Sequence, residues 1–199
     1  VLLSLLEAFV AYGDRTLVFS QSVRTLEYIE LLLARRSVGG GARAGGGRRW
    51  KTSRMDGSTP TFERKMLIDG FNSRHSDVDV FLISTKAGGE GINLVGANRV
   101  VILDVAFNPC VDGQAACRCY RYGQQKKVHI YRLVGAHSYE TVVFNRQLAR
   151  QTLSRRIIDH RSVARQFAAK DLANLFAPRH TAASTSHGAT SAAAAAAVV

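Results

Sequence analysis

One glutamine and two arginines in the second half of the chain have the types and the spacing of a polyanion-binding site. Gln114, Arg118 and Arg121 stand at positions i, i+4 and i+7, which fall on one face of an α-helix. Asp112 can cap that helix, which would open near Gly113. A carboxamide and two guanidiniums on one face can hold phosphate oxygens in a fixed geometry. Two solvated arginines on a basic helix would show the same spacing, so both interpretations stay open.

A glycine-rich turn upstream predicts a second anion contact. Its glycines have no Cβ to keep a phosphate away from the backbone amides, and they are Gly88, Gly89 and Gly91. The residues just before them add hydroxyl and ammonium donors, from Ser84, Thr85 and Lys86. Glu90 lies within the turn and opposes an anion unless its carboxylate points away or pairs.

Three apolar runs place these two loops on a common scaffold. They are Val80–Ile83, Val100–Leu103 and Val128–Leu133, and each is continuous rather than alternating. Such runs are typical of strands that are buried on both faces of a parallel sheet. Open α/β sheets bind their ligands at the carboxyl ends of the strands, where the glycine-rich turn begins. The pattern therefore predicts an α/β fold with a parallel sheet flanked by helices.

The two loops resemble motifs V and VI of superfamily-two helicases. Ser84–Leu94 is similar to motif V, and Asp112–Gln124 is similar to motif VI in the form typical of Snf-type (switch/sucrose non-fermenting) chromatin-remodelling ATPases. Val18–Gln21 and Arg54–Thr59 resemble motifs IV and IVa. Within this family the chain is most similar to the alpha-thalassaemia X-linked (ATRX) branch, because the likeness continues through Tyr139–Phe176.

The resemblance implies a RecA-like second lobe of a helicase, followed by a C-terminal helical extension. It implies a nuclear motor that hydrolyses ATP with Mg while it translocates on double-stranded DNA, nucleosomal DNA in particular. Neither a GxxxxGK[ST] loop nor an Asp-Glu pair occurs in the sequence, so the Mg ligands are expected on a first RecA-like lobe. The chain lacks an initial Met, and we expect it to be a fragment of a longer parent, inactive alone.

The same resemblance assigns roles to individual residues. Arg118 and Arg121 would be arginine fingers to the γ-phosphate, and Gln114 would position them. The implied nucleotide-binding residues are Gly89, Gly91, Asp112, Gln114, Arg118 and Arg121. The implied DNA-binding residues are Ser20, Gln21, Asp56, Gly57, Ser58, Ser84, Thr85, Lys86, Gly88, Asn93 and Phe107, the last standing where the family usually has Trp.

Composition supports an anionic partner without identifying it. The chain has 27 Lys+Arg against 15 Asp+Glu, a net charge of +12, which favours nucleic acid. No run approaches the ~20 apolar residues that cross a bilayer, so no membrane partner is expected. Cys110, Cys117 and Cys119 lack zinc-ligand spacing, and we interpret all three as small buried residues in a reducing compartment, with no metal site.

Two alternative functions remain. A truncated lobe could bind nucleic acid without enzymatic activity, since the ATP-binding motifs are absent from the sequence. An RNA helicase is disfavoured, because RNA-type motif VI usually has His/Gln-Arg-x-Gly-Arg-x-Gly-Arg, whereas this chain has Arg-x-x-Arg-x-Gly-Gln.

The predicted organisation has three parts. Residues 1–137 form the lobe, 138–177 a helical extension that by resemblance braces the two lobes, and 178–199 a disordered low-complexity tail. Within the lobe, residues 34–54 are rich in Gly and Arg and predict a mobile loop, either a DNA-binding arm or a surface insertion. A helix is predicted from Pro60 to about Asn72, burying its apolar residues Phe62, Met66, Leu67 or Ile68, and Phe71.

Overall fold

The computed structural model describes residues 1–38, 47–89, 91–159 and 194–198. Its helices are α1 (Leu2–Ala11), α2 (Val23–Ala34), α3 (Thr61–Asn72), α4 (Pro109–Ala116) and α5 (Tyr139–Asp159), with a 3₁₀ turn at Ala87–Gly89. Its strands are β1 (Thr16–Ser20), β2 (Ser37–Val38), β3 (Arg48–Arg49), β4 (Thr52–Met55), β5 (Val80–Ser84), β6 (Arg99–Ile102), β7 (His129–Leu133) and β8 (Ala194–Val198).

A parallel sheet forms the centre of the domain. Its strand order is β4-β5-β1-β6-β7-β8, and the first five strands are parallel. Every residue of β1 and β5 is buried, as their continuous apolar sequences predict. In the middle strand, Val18 is in register with Leu82 on one side and Val101 on the other. The prediction of a parallel α/β sheet is therefore confirmed.

Helices cover both faces of the sheet. On one face, Leu6 and Phe9 of α1 and Leu26 of α2 pack against Val18 and Leu82. On the other face, α3 and α4 pack against the alternate strand residues, and the cluster contains Phe71, Ala115, Ala116, Leu17, Phe19, Phe81 and Ile83. Because successive strand residues point to opposite faces, the continuous apolar runs supply both cores at once.

Helix α3 corrects the predicted burial pattern. It begins at Thr61 with Pro60 as N-cap and ends at Asn72, close to the predicted bounds. Phe71 is buried and its ring lies 5.1 Å from that of Phe81, but the side chains of Phe62 and Met66 are 75% and 61% exposed. Leu67 and Ile68, in the middle of the helix, are partly buried and pack against the core, so the prediction is wrong for Phe62 and Met66 only.

The predicted loop at 34–54 contains regular structure at both ends. β2 and β3 pair as an antiparallel ribbon, and β4 pairs in parallel with β5 at the sheet edge. Trp50 is buried, and the two terminal nitrogens of Arg48 each donate to one Asp79 carboxylate oxygen at 2.6 Å. A buried anchor and a bidentate ion pair hold this part of the segment in place. Residues 39–46 lie outside the described residues.

One strand, β8, is described within the predicted low-complexity tail. β8 pairs antiparallel with β7, with Ala196 opposite Tyr131. This pairing supplies partners for backbone N–H and C=O groups on the outer side of β7, which would otherwise be an edge strand. The rest of the predicted tail, and the helical extension beyond α5, lie outside the described residues.

Gly96 and Gly70 give a matched test of packing. A Cβ at Gly96 would lie 2.7 Å from the carbonyl oxygen of Phe71, whereas one at Gly70 would meet nothing within 4 Å. We expect Gly96→Ala to lower the free energy of unfolding by about 1–3 kcal/mol through overpacking. Gly70→Ala should raise it by up to about 1 kcal/mol, because alanine favours the helix. Urea denaturation measures both, and an equal effect of the two changes would contradict this packing.

Candidate nucleotide and nucleic-acid site

Three loops that carry predicted DNA-binding residues meet at the carboxyl edge of the sheet. The amide of Thr85 donates to the carbonyl of Ser20 at 2.9 Å, which joins the loops after β5 and β1. The amide of Gln21 donates to the Asp104 carboxylate at 2.7 Å, which joins the loops after β1 and β6. These contacts follow from the parallel arrangement, since neighbouring parallel strands end at the same edge.

The two serines of this edge shape their turns. Ser20 is buried, and its hydroxyl accepts the amide of Ser22 at 3.0 Å. Ser84 is also buried, and its hydroxyl accepts the amide of Ala87 at 3.3 Å. Within the described residues, both hydroxyls are thus engaged inside the fold. The side chains of Gln21 and Lys86 are exposed and remain accessible to a ligand.

The turn after β4 also combines a buried polar side chain with exposed neighbours. Asp56 is buried, and its carboxylate accepts the amide and the hydroxyl of Ser58 at 2.8 and 2.5 Å. Hydrogen bonds from Ser58, assisted by the charges of Arg54 and Arg64, hold the pKa of Asp56 below its ordinary value. Asp56 therefore anchors the turn as an ionised acceptor, while Gly57 and Ser58 form its exposed surface.

Packing explains one glycine of the glycine-rich turn, and backbone conformation explains another. Gly88 is buried, and a Cβ there would lie 2.9 Å from a ring carbon of Phe19. Gly91 has a φ of +69°, a conformation that favours glycine. Gly89 lies in the 3₁₀ turn between them, and the following Asn93 is exposed.

Helix α4 does not begin where the sequence predicts. Its N-cap is Asn108, whose side chain accepts the amide of Cys110 at 3.1 Å, and Pro109 occupies the first helical position. An Asn-Pro pair is a strong helix start, and it places Asp112 inside the first turn instead of at the cap. The helix ends at Ala116, so the prediction that Gln114, Arg118 and Arg121 share one helix face is wrong.

Asp112 is instead a buried acceptor for a helix far along the chain. Its carboxylate accepts the amide of Ala106 at 3.3 Å and the side-chain amide of Gln147 at 3.0 Å. The guanidinium of Arg132 lies 3.9 Å away. Burial raises the pKa of Asp112, and the two hydrogen bonds together with the charge of Arg132 oppose the rise only in part. The Asp112 carboxylate is therefore engaged within the fold, where it fixes the position of α4, and its predicted contact with a nucleotide stays a prediction.

The two candidate finger arginines occupy different environments. The side chain of Arg118 is buried, and this burial, with the nearby charge of Arg121, lowers the pKa of its guanidinium. Arg121 is exposed, and its guanidinium donates to the carbonyls of Gly91 at 3.0 Å and Cys117 at 3.3 Å. The carbonyl of Arg118 accepts the amide of Leu94 at 2.9 Å. The glycine-rich turn and the arginine segment are therefore attached to each other at two points.

A shallow open groove of about 600 Å³ lies beside Arg121. Two exposed rings line it, Tyr120 and Tyr122, together with Lys126 and Lys127. Aromatic and cationic side chains in one groove suit a nucleotide or a nucleic-acid strand. Gln114 is exposed on the preceding helix α4.

Two residues of α5 contact the loop after β6 and the first turn of α4. The sequence analysis assigned neither of them to the site. Gln147 is buried and its side-chain amide donates to the Ala106 carbonyl as well as to Asp112. The guanidinium of Arg150 lies over the Phe107 ring, 4.5 Å from its centroid. A helical stripe of Val143, Gln147 and Arg150 at i, i+4 and i+7 could have indicated that this face of α5 contacts the domain.

The cysteine interpretation is confirmed at one position only. Cys119 is buried, and burial raises the pKa of its thiol to about 12. Cys110, in the first turn of α4, and Cys117, the C-cap of that helix, are exposed, so the interpretation is wrong for these two. Across the described part of the chain, no group of three His, Cys, Asp or Glu side chains could hold a metal ion. None of the described helices is long and apolar enough to span a bilayer.

Comparisons with known proteins agree with this geometry. The model of the helicase conserved C-terminal domain matches residues 1–123. Helicase ARIP4 of Mus musculus is 45% identical over 182 residues, which cover 88% of this chain and 12% of that protein. The transcriptional regulator ATRX homolog of Drosophila melanogaster is 40% identical over 187 residues, covering 88% and 14%. The chain thus spans a small part of the relatives it matches.

A solved structure has a similar fold. The crystal structure of the C-terminal part of the Fun30 ATPase domain has a TM-score of 0.64 and 38% sequence identity. The alignment covers 73% of this chain and 43% of that chain.

The buried carboxylate of Asp112 predicts a pH-dependent stability. Its pKa in the folded state is raised above the ordinary 3.8, so the folded protein loses stability as pH rises from that value through the raised one. Asp112→Asn cannot ionise, and the wild type should therefore lose free energy of unfolding relative to this variant as the pH rises from about 4 through the raised pKa of Asp112. Denaturant titrations measure the difference, with Asp69→Asn on the exposed side of α3 as control. A pH-independent difference for Asp112→Asn would contradict the assignment.

Proposed function

Because the chain belongs to the helicase conserved C-terminal domain family, in its Snf-type branch, we propose that it is the second motor lobe of an ATP-dependent translocase of double-stranded DNA. The RecA-like fold and the resemblance to a Snf-type lobe with an ATRX-like relative are both confirmed. The proposal adds the reaction, the residues that take part in it and the partners. The first RecA-like lobe belongs to a longer protein that contains this chain.

The contact between Arg121 and Gly91 carries this proposal. Arg121 is exposed, and in the described residues its guanidinium meets only backbone carbonyls, which leaves its positive charge without an acidic neighbour. A guanidinium held in this way can offer its remaining N–H donors to phosphate oxygens. Gly91 belongs to the turn that leaves the DNA-facing edge, so one side chain connects the nucleotide-facing and DNA-facing segments.

The proposed chemistry is charge neutralisation at the γ-phosphate of ATP. ATP with Mg is bound by the first lobe, and this lobe supplies Arg121 and, after closure, Arg118 as arginine fingers. Gln114 positions them from α4, and the backbone of Gly89 and Gly91 faces the same cleft. Fingers of this kind accelerate hydrolysis roughly 10³–10⁵-fold, because they oppose charge that develops only in the transition state. The segment from Cys117 to Gly123 lies outside any helix, and a change in its turns on closure would bring the Arg118 side chain to the nucleotide.

The carboxyl edge is proposed to grip the DNA backbone. Gln21, Ser58 and Lys86 present exposed polar or charged groups there, and Asp56 and Ser84 shape the turns that hold them. Contacts to phosphates carry no direct sequence information, so binding is expected to be independent of sequence and sensitive to salt. The net charge of +12 favours the same partner. Nucleosomal DNA and a nuclear location are part of the proposal.

Substitution of Arg121 in the intact parent protein tests the finger assignment. Arg121→Ala should reduce DNA-stimulated ATP hydrolysis by roughly 10³-fold or more, and Arg121→Lys should restore little, because an ammonium lacks the planar fork. Affinity for DNA should change far less than turnover. Arg74→Ala, at an exposed arginine near the end of α3, is the control. Turnover close to that of the wild type in Arg121→Ala would remove Arg121 from the chemistry.

The isolated 199-residue chain separates the motor from a non-enzymatic binding module. We expect double-stranded DNA binding that weakens steeply between about 50 and 200 mM salt, and no ATP hydrolysis. Adding the first lobe should restore hydrolysis if the chain is a motor lobe. A binding module would still bind DNA after that addition but would hydrolyse no ATP. Hydrolysis by the isolated chain would contradict the assignment of ATP and Mg binding to the first lobe.

A further inference from the structure

We propose that Arg150 of α5 is a DNA-backbone contact and that the ring of Phe107 is the platform that holds it. The inference rests on the proposed binding of DNA at the carboxyl edge and extends that site to a helix beyond the conserved motifs. It also changes the role of Phe107, which the sequence assigned to DNA directly.

The geometry of the pair leaves the guanidinium available to a ligand. Its central carbon lies 4.5 Å from the centroid of the Phe107 ring, and both side chains are exposed, Phe107 at 53%. A guanidinium stacked on a ring keeps its N–H donors in its own plane, where they can reach phosphate oxygens. The stacking also restricts the long, flexible Arg150 side chain before DNA binds. Less side-chain conformational entropy is therefore lost on binding.

Neighbouring contacts fix both partners in the same place. Gln147 lies one turn before Arg150 on α5, is buried, and donates to the carbonyl of Ala106, the residue next to Phe107. Val143, one turn earlier still, is also buried. The stripe that attaches α5 to the domain therefore ends with Arg150 at the edge of the sheet, where the loop after β6 presents Phe107.

The charge environment of Arg150 differs from that of Arg48 and Arg54, which are paired with carboxylates. Arg54 is paired with Glu27, Glu30 and Asp56, and Arg48 with Asp79. Among the described residues, no carboxylate lies within ion-pair distance of Arg150. An exposed arginine held by a ring and not by an acid keeps its full charge for a polyanion. DNA bound at the proposed carboxyl-edge site would bring a backbone phosphate close to Arg150.

Salt-dependent binding of double-stranded DNA by the intact parent protein tests this inference. Affinity is measured on two unrelated sequences at several salt concentrations for the wild type, Arg150→Ala, Arg150→Lys, Phe107→Leu and the double variant. Arg150→Ala should reduce the slope of log affinity against log salt by about 0.9, the contribution of one phosphate contact, equally on both sequences. Arg150→Lys should keep the slope, and Arg74→Ala is the control.

The ring is tested through its coupling to the arginine. Phe107→Leu should weaken binding about two- to fivefold with little change of slope, and this loss should disappear when Arg150 is already alanine. Melting temperatures check that each variant is folded. An unchanged slope in folded Arg150→Ala, or a full Phe107→Leu effect without Arg150, would overturn the inference. A wild type without salt-sensitive DNA binding would instead overturn the proposed function.

Discussion

The buried carboxylate of Asp112 connects the parts of this domain that have to act together. It lies in the first turn of α4, accepts a hydrogen bond from the loop after β6 and another from α5, and has the guanidinium of β7 residue Arg132 nearby. A buried charge is costly unless donors surround it, and each donor here comes from a different element. If any one of these elements moved away, the buried carboxylate would lose a hydrogen bond or a favourable charge. The loop, α4 and α5 are therefore held in one relative arrangement.

Several residues of the predicted motifs use their polar atoms inside the fold. Ser20, Ser84 and Asp56 are buried, and their polar atoms form the hydrogen bonds that shape the turns. Gly88 has no Cβ, which leaves room for the ring of Phe19. Their effect on a ligand passes through the neighbours they position, such as Gln21, Ser58 and Lys86. A motif in this fold is thus a set of turns with a few exposed groups, and loss of a buried member would displace the exposed ones.

The attachment of Arg121 to Gly91 gives a physical route between the two proposed ligands. The glycine-rich turn begins at the carboxyl edge, where DNA is proposed to bind, and ends at the Gly91 carbonyl that accepts from Arg121. A movement of Arg121 toward a nucleotide would break or lengthen that hydrogen bond and release the turn. The second attachment, between Leu94 and Arg118, keeps the two segments together when the first one changes. This division between a fixed and a changeable contact suits a lobe that closes and reopens.

The sequence by itself determined the parallel sheet and the order of its loops, because strands buried on both faces must be continuously apolar. Hence β5 and β6 could be predicted from their continuous apolar runs, and the edge that collects the polar loops followed from the direction of the strands. Only the tertiary structure decided which polar residues are buried and what holds them. The position of Asp112 depends on Gln147, 35 residues away, and the exposure of Phe62 depends on where α3 meets the sheet. Helical spacing records which residues share a face of one helix, whereas burial is set by partners that are distant in sequence, and local patterns carry no information about those.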